Sequence, residues 1–157
     1  MTKARCFLAC WLWVLPATAD PGIVQLREQA RAGDAWAQLN LGAAHDHGLS
    51  GASPDAQAAV RWYRRAAQQG LAEAQFNLAH CLATGHGVLQ DYAEARLWMR
   101  RAAEQGMPDA QFLLGVMLAE GLGGGADPGQ ARDWLQRAAA GGNADASDYL
   151  RANPHRP

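Results

Sequence analysis

The side chains best suited to chemistry in this sequence are histidines. His45, His47, His80 and His86 lie in its central part, and Asp46 stands between the first two. Imidazole and carboxylate groups bind metal ions and transfer protons near neutral pH. A zinc site needs three or four such ligands at about 2 Å from the ion, and no pair here has the spacing of a metal-binding motif. We therefore predict no metal site and interpret these residues as polar ends of helices.

No nucleophile stands beside a base in the sequence pattern. Cys81 is the only cysteine after residue 19, so it has no cysteine partner within the rest of the chain. A reactive thiol or a cross-link between two chains is one interpretation; a small buried side chain is the one we favour. The serines and threonines after residue 19 are Ser50, Ser53, Ser147 and Thr84, and none has the context of a nucleophile elbow. No catalytic residue is predicted.

The stretch of residues 121–126, Gly-Leu-Gly-Gly-Gly-Ala, has the glycine spacing of a dinucleotide-binding loop. That loop binds a pyrophosphate only between a strand and a helix. Here the stretch follows a helical pattern in a chain with no convincing strand pattern, so we predict a loop between helices. No cofactor is predicted.

An internal repeat must position these residues. The recurring positions are Asp55, Asp91 and Asp127; Ala59, Ala95 and Ala131; Trp62, Trp98 and Trp134; Ala66, Ala102 and Ala138; and Gly70, Gly106 and Gly142. Successive members of each set are 36 residues apart. A period of this length indicates a solenoid, in which each unit buries its apolar face against its neighbours. We expect all three tryptophan rings to be hidden between units.

Each unit is predicted to contain two helices. The first carries Ala-x-Ala-Gln-x-x-Leu-Gly or a near variant, beginning at Ala35, Ala72 and Pro108. A glycine at 48, 85 or 121 ends this helix. The aspartate of the repeated set then begins the second helix, because its carboxylate can accept hydrogen bonds from the free amides of the first turn.

The pattern divides the chain into six segments. These are a signal peptide at 1–19, an N-terminal capping helix at 20–33, repeats at 34–70, 71–106 and 107–142, and a C-terminal capping helix with a tail at 143–157.

In the first segment, Lys3 and Arg5 precede a short apolar run and a small-x-small cleavage site. We predict no membrane span and a protein that is periplasmic or secreted after cleavage near Ala19. A lipid anchor at Cys10 is the alternative.

The formal charge of the chain limits the classes of partner that it could bind. Removal of residues 1–19 would take two of the 14 basic residues and none of the 15 acidic ones, which leaves a formal charge of −3. A mildly acidic chain argues against binding to nucleic acid or to an anionic membrane, which needs clustered basic charge on one face. The absence of lysine after Lys3 excludes Schiff-base chemistry in the remaining chain.

The unit as a whole resembles the Sel1-like repeat, a relative of the tetratricopeptide repeat. The resemblance covers about residues 34–142 and rests on the first-helix pattern, the turn Gly85-His86-Gly87-Val88 and the second-helix pattern Ala-x-x-Trp-x-x-x-Ala-Ala-x-x-Gly. It implies an all-α fold, a right-handed α/α solenoid of about three helix-turn-helix repeats with terminal half-repeats. It also implies that the first helices line a concave face of a non-enzymatic adaptor that binds other proteins. His45 departs from the family, which usually has an aromatic residue there.

A protein or peptide partner would then contact residues turned toward the concave face. The candidates are Trp36, Leu39, Asp46, His47, Glu73, Phe76, His80, Asp109, Phe112 and Glu120. Aromatic side chains with a ring of acids would suit an extended or helical peptide of basic character. Leu39, Phe76 and Phe112 occupy one equivalent column, and packing between helices is the alternative for them. For Trp36 the alternative is packing against the N-terminal helix.

Two other functions stay open on the sequence. One is a hydrolase of the cell-wall or β-lactam type, because cysteine-rich bacterial relatives of the family have been linked to penicillin binding and hydrolysis. Those relatives are built on paired cysteines in each repeat, which this chain lacks. The other is a metal-responsive regulator that uses the histidines. Because three repeats make a short groove, a homodimer is a further alternative.

Overall fold

The computed structural model describes residues 21–49 and 51–153, and these residues form eight α-helices and no strand. The helices are α1 (Pro21–Arg31), α2 (Ala35–His47), α3 (Ala56–Gln68), α4 (Ala72–Thr84), α5 (Tyr92–Glu104), α6 (Pro108–Glu120), α7 (Pro128–Ala140) and α8 (Ala144–Ala152). The predicted all-α repeat fold is confirmed. The predicted signal peptide lies outside the described residues, and within them no helix combines the length and the apolar character that a bilayer crossing requires.

The ends of the helices follow from the residues placed there. Asp55, Asp91 and Asp127 each accept a hydrogen bond of 2.9 Å from the backbone amide three residues later. This bond satisfies one of the amides that the first turn leaves without a helical partner. Helices α2, α4 and α6 each end at a glycine with φ between 66° and 76°, a left-handed conformation that glycine adopts without strain. The predicted helix boundaries at these positions are confirmed.

Consecutive helices pack against each other in an unbroken series from α1 to α8. Small residues set the distance between the two helices of a unit. A Cβ atom at Gly42 would lie 2.7 Å from the ring of Tyr63, and one at Gly115 would lie 2.7 Å from Leu135 Cγ. The middle unit has Ala79 at the equivalent position, and this residue is fully buried. Close approach therefore compensates for the cost of glycine within a helix.

The three repeated tryptophans are not equally buried. Trp98 and Trp134 belong to the core, whereas Trp62 is half-buried. The prediction that all three rings are hidden is therefore wrong for the first unit. Trp62 packs against an N-terminal cluster that includes Ile23 and Leu41, and α1 is the only described helix that precedes this unit. Trp98 and Trp134, by contrast, each follow a complete pair of helices.

A buried glutamine joins each unit to the helix before it. Gln75 donates a hydrogen bond to the carbonyl oxygen of Ala67 (3.3 Å), and its side-chain oxygen accepts one from Gln105 (2.8 Å). The same arrangement recurs around Gln38, and Gln111 makes the first of these two bonds. The carbonyls in the last turn of a helix have no partner within it, so these amides stabilise the junctions between units.

Candidate functional site

Helices α2, α4 and α6 present one stripe that is at least partly exposed, which we call the first-helix face. Its positions are four, three and four residues apart, the spacing of one side of an α-helix. It consists of Trp36, Asn40, Ala43 and His47 in α2, Glu73, Asn77, His80 and Thr84 in α4, and Asp109, Leu113, Val116 and Glu120 in α6.

Six of the ten predicted partner-binding residues lie on this face. Among them, Trp36 is 55 % exposed, so the N-terminal helix does not bury it. Leu39 is only 8 % exposed and belongs to the core; its prediction as a contact residue is wrong, because it packs between helices. Phe76 and Phe112 are half-buried against core clusters. This agrees with the alternative that the equivalent residues Leu39, Phe76 and Phe112 pack between helices. Asp46 lies beside the face, in a cleft.

The cleft lies between α2 and α4 and has a volume of about 560 Å³. It brings together Asp46, His47 and His80, which the sequence placed on one face, and His86, which the sequence considered as a metal ligand. Side chains outside the predicted binding face complete it. Its lining consists of Asp46, His47, Tyr63, Asn77, His80, Cys81, Thr84, Gly85 and His86. The cleft therefore combines one carboxylate with three imidazoles and several neutral polar groups.

Asp46 is the centre of a hydrogen-bond network that joins two units. Its side chain is 17 % exposed. One carboxylate oxygen accepts a hydrogen bond of 2.7 Å from Nε2 of His86, and the other accepts one of 3.4 Å from the hydroxyl of Tyr63. His86 belongs to the turn after α4 and Tyr63 to α3, so the network connects the turn of the second unit to both helices of the first.

The ionisation of neighbouring groups reflects this carboxylate and the burial around it. Burial, together with the charge of Asp46, raises the pKa of the Tyr63 phenol well above its usual range. Burial also raises the pKa of the Cys81 thiol to about 11, and Asp46 adds to the shift. A thiol with this pKa stays protonated at neutral pH, and the thiolate is the reactive form. Cys81 is thus a buried neutral group, as the sequence suggested.

The network could have been found by looking for departures from the repeat. The positions equivalent to Asp46 in the other two units hold alanine, and those equivalent to Tyr63 hold methionine and leucine. The position equivalent to His86 in the third unit holds leucine. All three departures fall at one junction. Asn40, Asn77 and Thr84 were also missed, because polar residues on a helix carry no signal of a site when taken singly.

The histidines do not converge on one point. The Nδ1 atom of His45 lies 3.3 Å from the carbonyl oxygen of Ser53, away from the cleft residues. Among residues 21–49 and 51–153, no group of three histidine, cysteine or acidic side chains has the geometry to hold a metal ion.

Charge is unevenly divided between the first helices of the units (α2, α4 and α6) and the second helices (α3, α5 and α7). Helices α2, α4 and α6 contain four acidic residues, Asp46, Glu73, Asp109 and Glu120, and no lysine or arginine. Helices α3, α5 and α7 contain eight arginines and three acidic residues. The nearly neutral total charge of the chain conceals this separation.

Comparison with known families and proteins agrees with the repeat architecture. The profile of the Sel1 repeat matches residues 37–71, 72–107 and 108–143. Chitin synthase regulatory factor 3 of Schizosaccharomyces pombe (strain 972 / ATCC 24843) is 38 % identical over 82 residues, which are 52 % of this chain and 9 % of that protein. The chain thus spans only a small part of that relative.

Solved structures of Sel1 repeat proteins resemble most of the chain. A Sel1 repeat protein from Oxalobacter formigenes is 36 % identical with a TM-score of 0.76, and the match covers 83 % of this chain and 98 % of that one. A protective antigen present in uropathogenic Escherichia coli strains is 35 % identical with a TM-score of 0.79, over 82 % of this chain and 27 % of that one.

A third structure, Helicobacter pylori cysteine rich protein B, is 18 % identical with a TM-score of 0.64, over 82 % of this chain and 92 % of that one. At this identity the likeness shows the fold alone. The matched repeats cover most of the chain and coincide with the helical pairs described above. The chain therefore belongs to the Sel1 repeat family.

Proposed function

We propose that the protein is a non-enzymatic scaffold whose first-helix face binds a partner protein through a segment of basic and apolar character. Sel1 repeats are typically modules of protein interaction, and stacked helical repeats bind partners along extended surfaces. The observation that carries the proposal is one exposed stripe, continuous over three units, that contains acids and no lysine or arginine.

The chemistry of the stripe indicates the kind of segment it would bind. The acids of the stripe are Glu73 and Asp109, in the first turns of α4 and α6, and Glu120, in the last turn of α6. Leu113 and Val116 are partly exposed between the acids of α6, and Trp36 is an exposed aromatic side chain in α2. Basic side chains of a partner would pair with the acids, while apolar ones would pack between them.

The two rival functions have no supporting observation in the described part of the chain. A hydrolase needs an activated nucleophile, whereas the Cys81 thiol is buried and its pKa is raised to about 11. A metal-responsive regulator needs converging ligands, and among the described residues no group of three histidine, cysteine or acidic side chains has the geometry to hold a metal ion. Binding is the only function that we propose.

The test selects peptides on the full chain from a random display library and measures the affinity of a selected peptide by fluorescence polarisation. Glu73→Arg combined with Glu120→Arg should weaken binding by about tenfold or more, since each exposed ion pair contributes up to about 1 kcal/mol and is replaced by repulsion. The matched control is Glu104→Arg with Asp133→Arg, which makes the same charge change at exposed positions of α5 and α7.

The control should bind the peptide as the wild type does. Equal weakening by both double variants would contradict the proposed face, because it would show a response to net charge alone. Selection of mainly acidic peptides would contradict the proposed partner chemistry.

Export is a separate proposal that rests on residues 1–19. N-terminal sequencing of the protein produced in a bacterial host should find Asp20 as the first residue in the periplasmic fraction. Retention of Met1 in the cytoplasmic fraction would contradict it.

A further inference from the structure

A second open groove lies between α3 and the turn that joins α4 to α5, and its volume is about 410 Å³. Its lining includes Arg61, Arg64, Arg65 and Gln68, while Val60 and Val88 supply apolar contact. None of the described residues that line it is acidic. The groove lies outside the first-helix face, and the proposed scaffold function does not use it.

Neighbouring groups hold two of the three arginines, Arg64 and Arg65, in place. The guanidinium of Arg65 lies over the Trp62 ring, 4.6 Å from its centroid, and this stacking leaves the in-plane N–H groups open to a ligand. Arg64 directs two of its five N–H donors to Glu94. Arg61 is 3.8 Å from Asp55 and is largely exposed. A site with ordered side chains loses little entropy on binding.

The repeat itself provides an internal comparison for this groove. Stacking of arginine on tryptophan recurs in the second and third units at 4.4 and 4.7 Å, so stacking alone does not distinguish the first. The equivalents of Arg61 are Leu97 and Asp133, and Gln68 is replaced by Glu104 in the second unit. At these positions the later units therefore carry an acidic or uncharged residue, whereas the first unit carries a basic or neutral one.

We propose that this groove binds the phosphate group of an organic phosphate. Guanidinium groups match phosphate oxygens with paired hydrogen bonds. Glu94 balances the charge of Arg64, so Arg61 and Arg65 supply the net positive charge, and two such charges favour a dianionic group over a singly charged carboxylate. Val60 and Val88 then contact the apolar part of the ligand. Such a phosphate monoester has two sources, a soluble metabolite or phosphatidic acid, a lipid whose headgroup is itself a phosphate monoester.

The test titrates the full chain with phenyl phosphate and follows the backbone amide signals of Gly87 and Val88 by NMR. The wild type should show saturable shifts. Arg61→Leu, which introduces the residue that the second unit carries, and Arg65→Gln should each weaken binding by about tenfold, the effect expected for loss of a charged hydrogen-bond donor. Arg101→Gln removes the same charge and the same kind of stacking from the second unit and should leave binding unchanged.

Co-sedimentation with phosphatidylcholine vesicles, with and without phosphatidic acid, separates the two sources. Binding to phenyl phosphate without vesicle binding assigns a soluble ligand. Vesicle binding that needs phosphatidic acid and is lost in Arg61→Leu assigns a lipid headgroup. Binding to neither probe, or equal weakening by Arg101→Gln and Arg61→Leu, would overturn the proposal. The outcome is independent of peptide binding at the first-helix face.

Discussion

Gly42 lies where α2 meets the Tyr63 ring, and the structure predicts an unusual response to its replacement. Glycine to alanine within a helix usually stabilises by about 1 kcal/mol. Here the added Cβ would lie 2.7 Å from a ring that is 2 % exposed, and overpacking costs about 1 to 3 kcal/mol. Gly42→Ala should therefore lower the free energy of unfolding in urea, by up to about 2 kcal/mol.

Gly129→Ala is the matched control, because a Cβ atom there would have its nearest neighbour at 3.5 Å. It should leave stability unchanged or raise it by up to about 1 kcal/mol. Equal stabilisation by the two alanines would show that Tyr63 does not pack as described.

Cys81 gives a second prediction for a single residue, its slow alkylation in the native protein. A pKa of about 11 instead of its usual value of 9.0 reduces the thiolate fraction at pH 8 by about 100-fold, and the thiolate is the form that reacts. Iodoacetamide should accordingly modify the folded chain at least about 100-fold more slowly than the chain in urea. Similar rates in both states would contradict the burial of the thiol.

The raised pKa of Cys81 also predicts how stability depends on pH. The folded state holds the thiol proton more tightly than the unfolded state does, so the stabilisation is complete below the unfolded pKa. It is lost as the pH rises through about 11. Cys81→Ala should reduce this loss of stability at high pH. An unchanged loss would show that other ionisable groups cause it.

At the scale of elements, the joint between units predicts the cost of removing a glutamine. Gln75→Leu leaves the carbonyl of Ala67 and the side chain of Gln105 without their bonds to Gln75. The Ala67 carbonyl keeps its bond from the Gly70 amide, and the Gln105 side chain keeps its bond to the Gly70 carbonyl. The cost is therefore that of two lost hydrogen bonds, about 1 to 3 kcal/mol in urea unfolding. Gln136→Leu, an exposed glutamine of α7, should change stability by less than about 0.5 kcal/mol. Equal losses of stability in the two variants would contradict the structural role of Gln75.

The sequence predicted the elements well because local rules decide them. The aspartates that begin α3, α5 and α7, and the glycines that end α2, α4 and α6, act through their own first or last turn. Burial of Trp62 was overestimated because it depends on the helix before its unit. The network of Asp46, Tyr63 and His86 was missed, since its members are separated along the chain and meet only after the helices have stacked.

For the whole molecule, the separation of charge matters more than the total charge. The sequence argument against anionic partners used the sum over the chain, whereas folding places acids on one set of helices and most arginines on the other. One solenoid therefore offers an acidic face to a basic segment and, in its first unit, a basic groove to an anion. Electrostatic complementarity of this kind steers association and discriminates between partners.

Photo-cross-linking tests the central claim, that the first-helix face holds the partner, most directly. A photoreactive phenylalanine would replace either His80, exposed on α4, or Leu97, exposed on α5, and each full-length chain would be irradiated with a peptide selected on the wild type. We predict a cross-linked product from position 80 and none from position 97. Cross-linking from position 97 alone, or equally from both, would contradict the account.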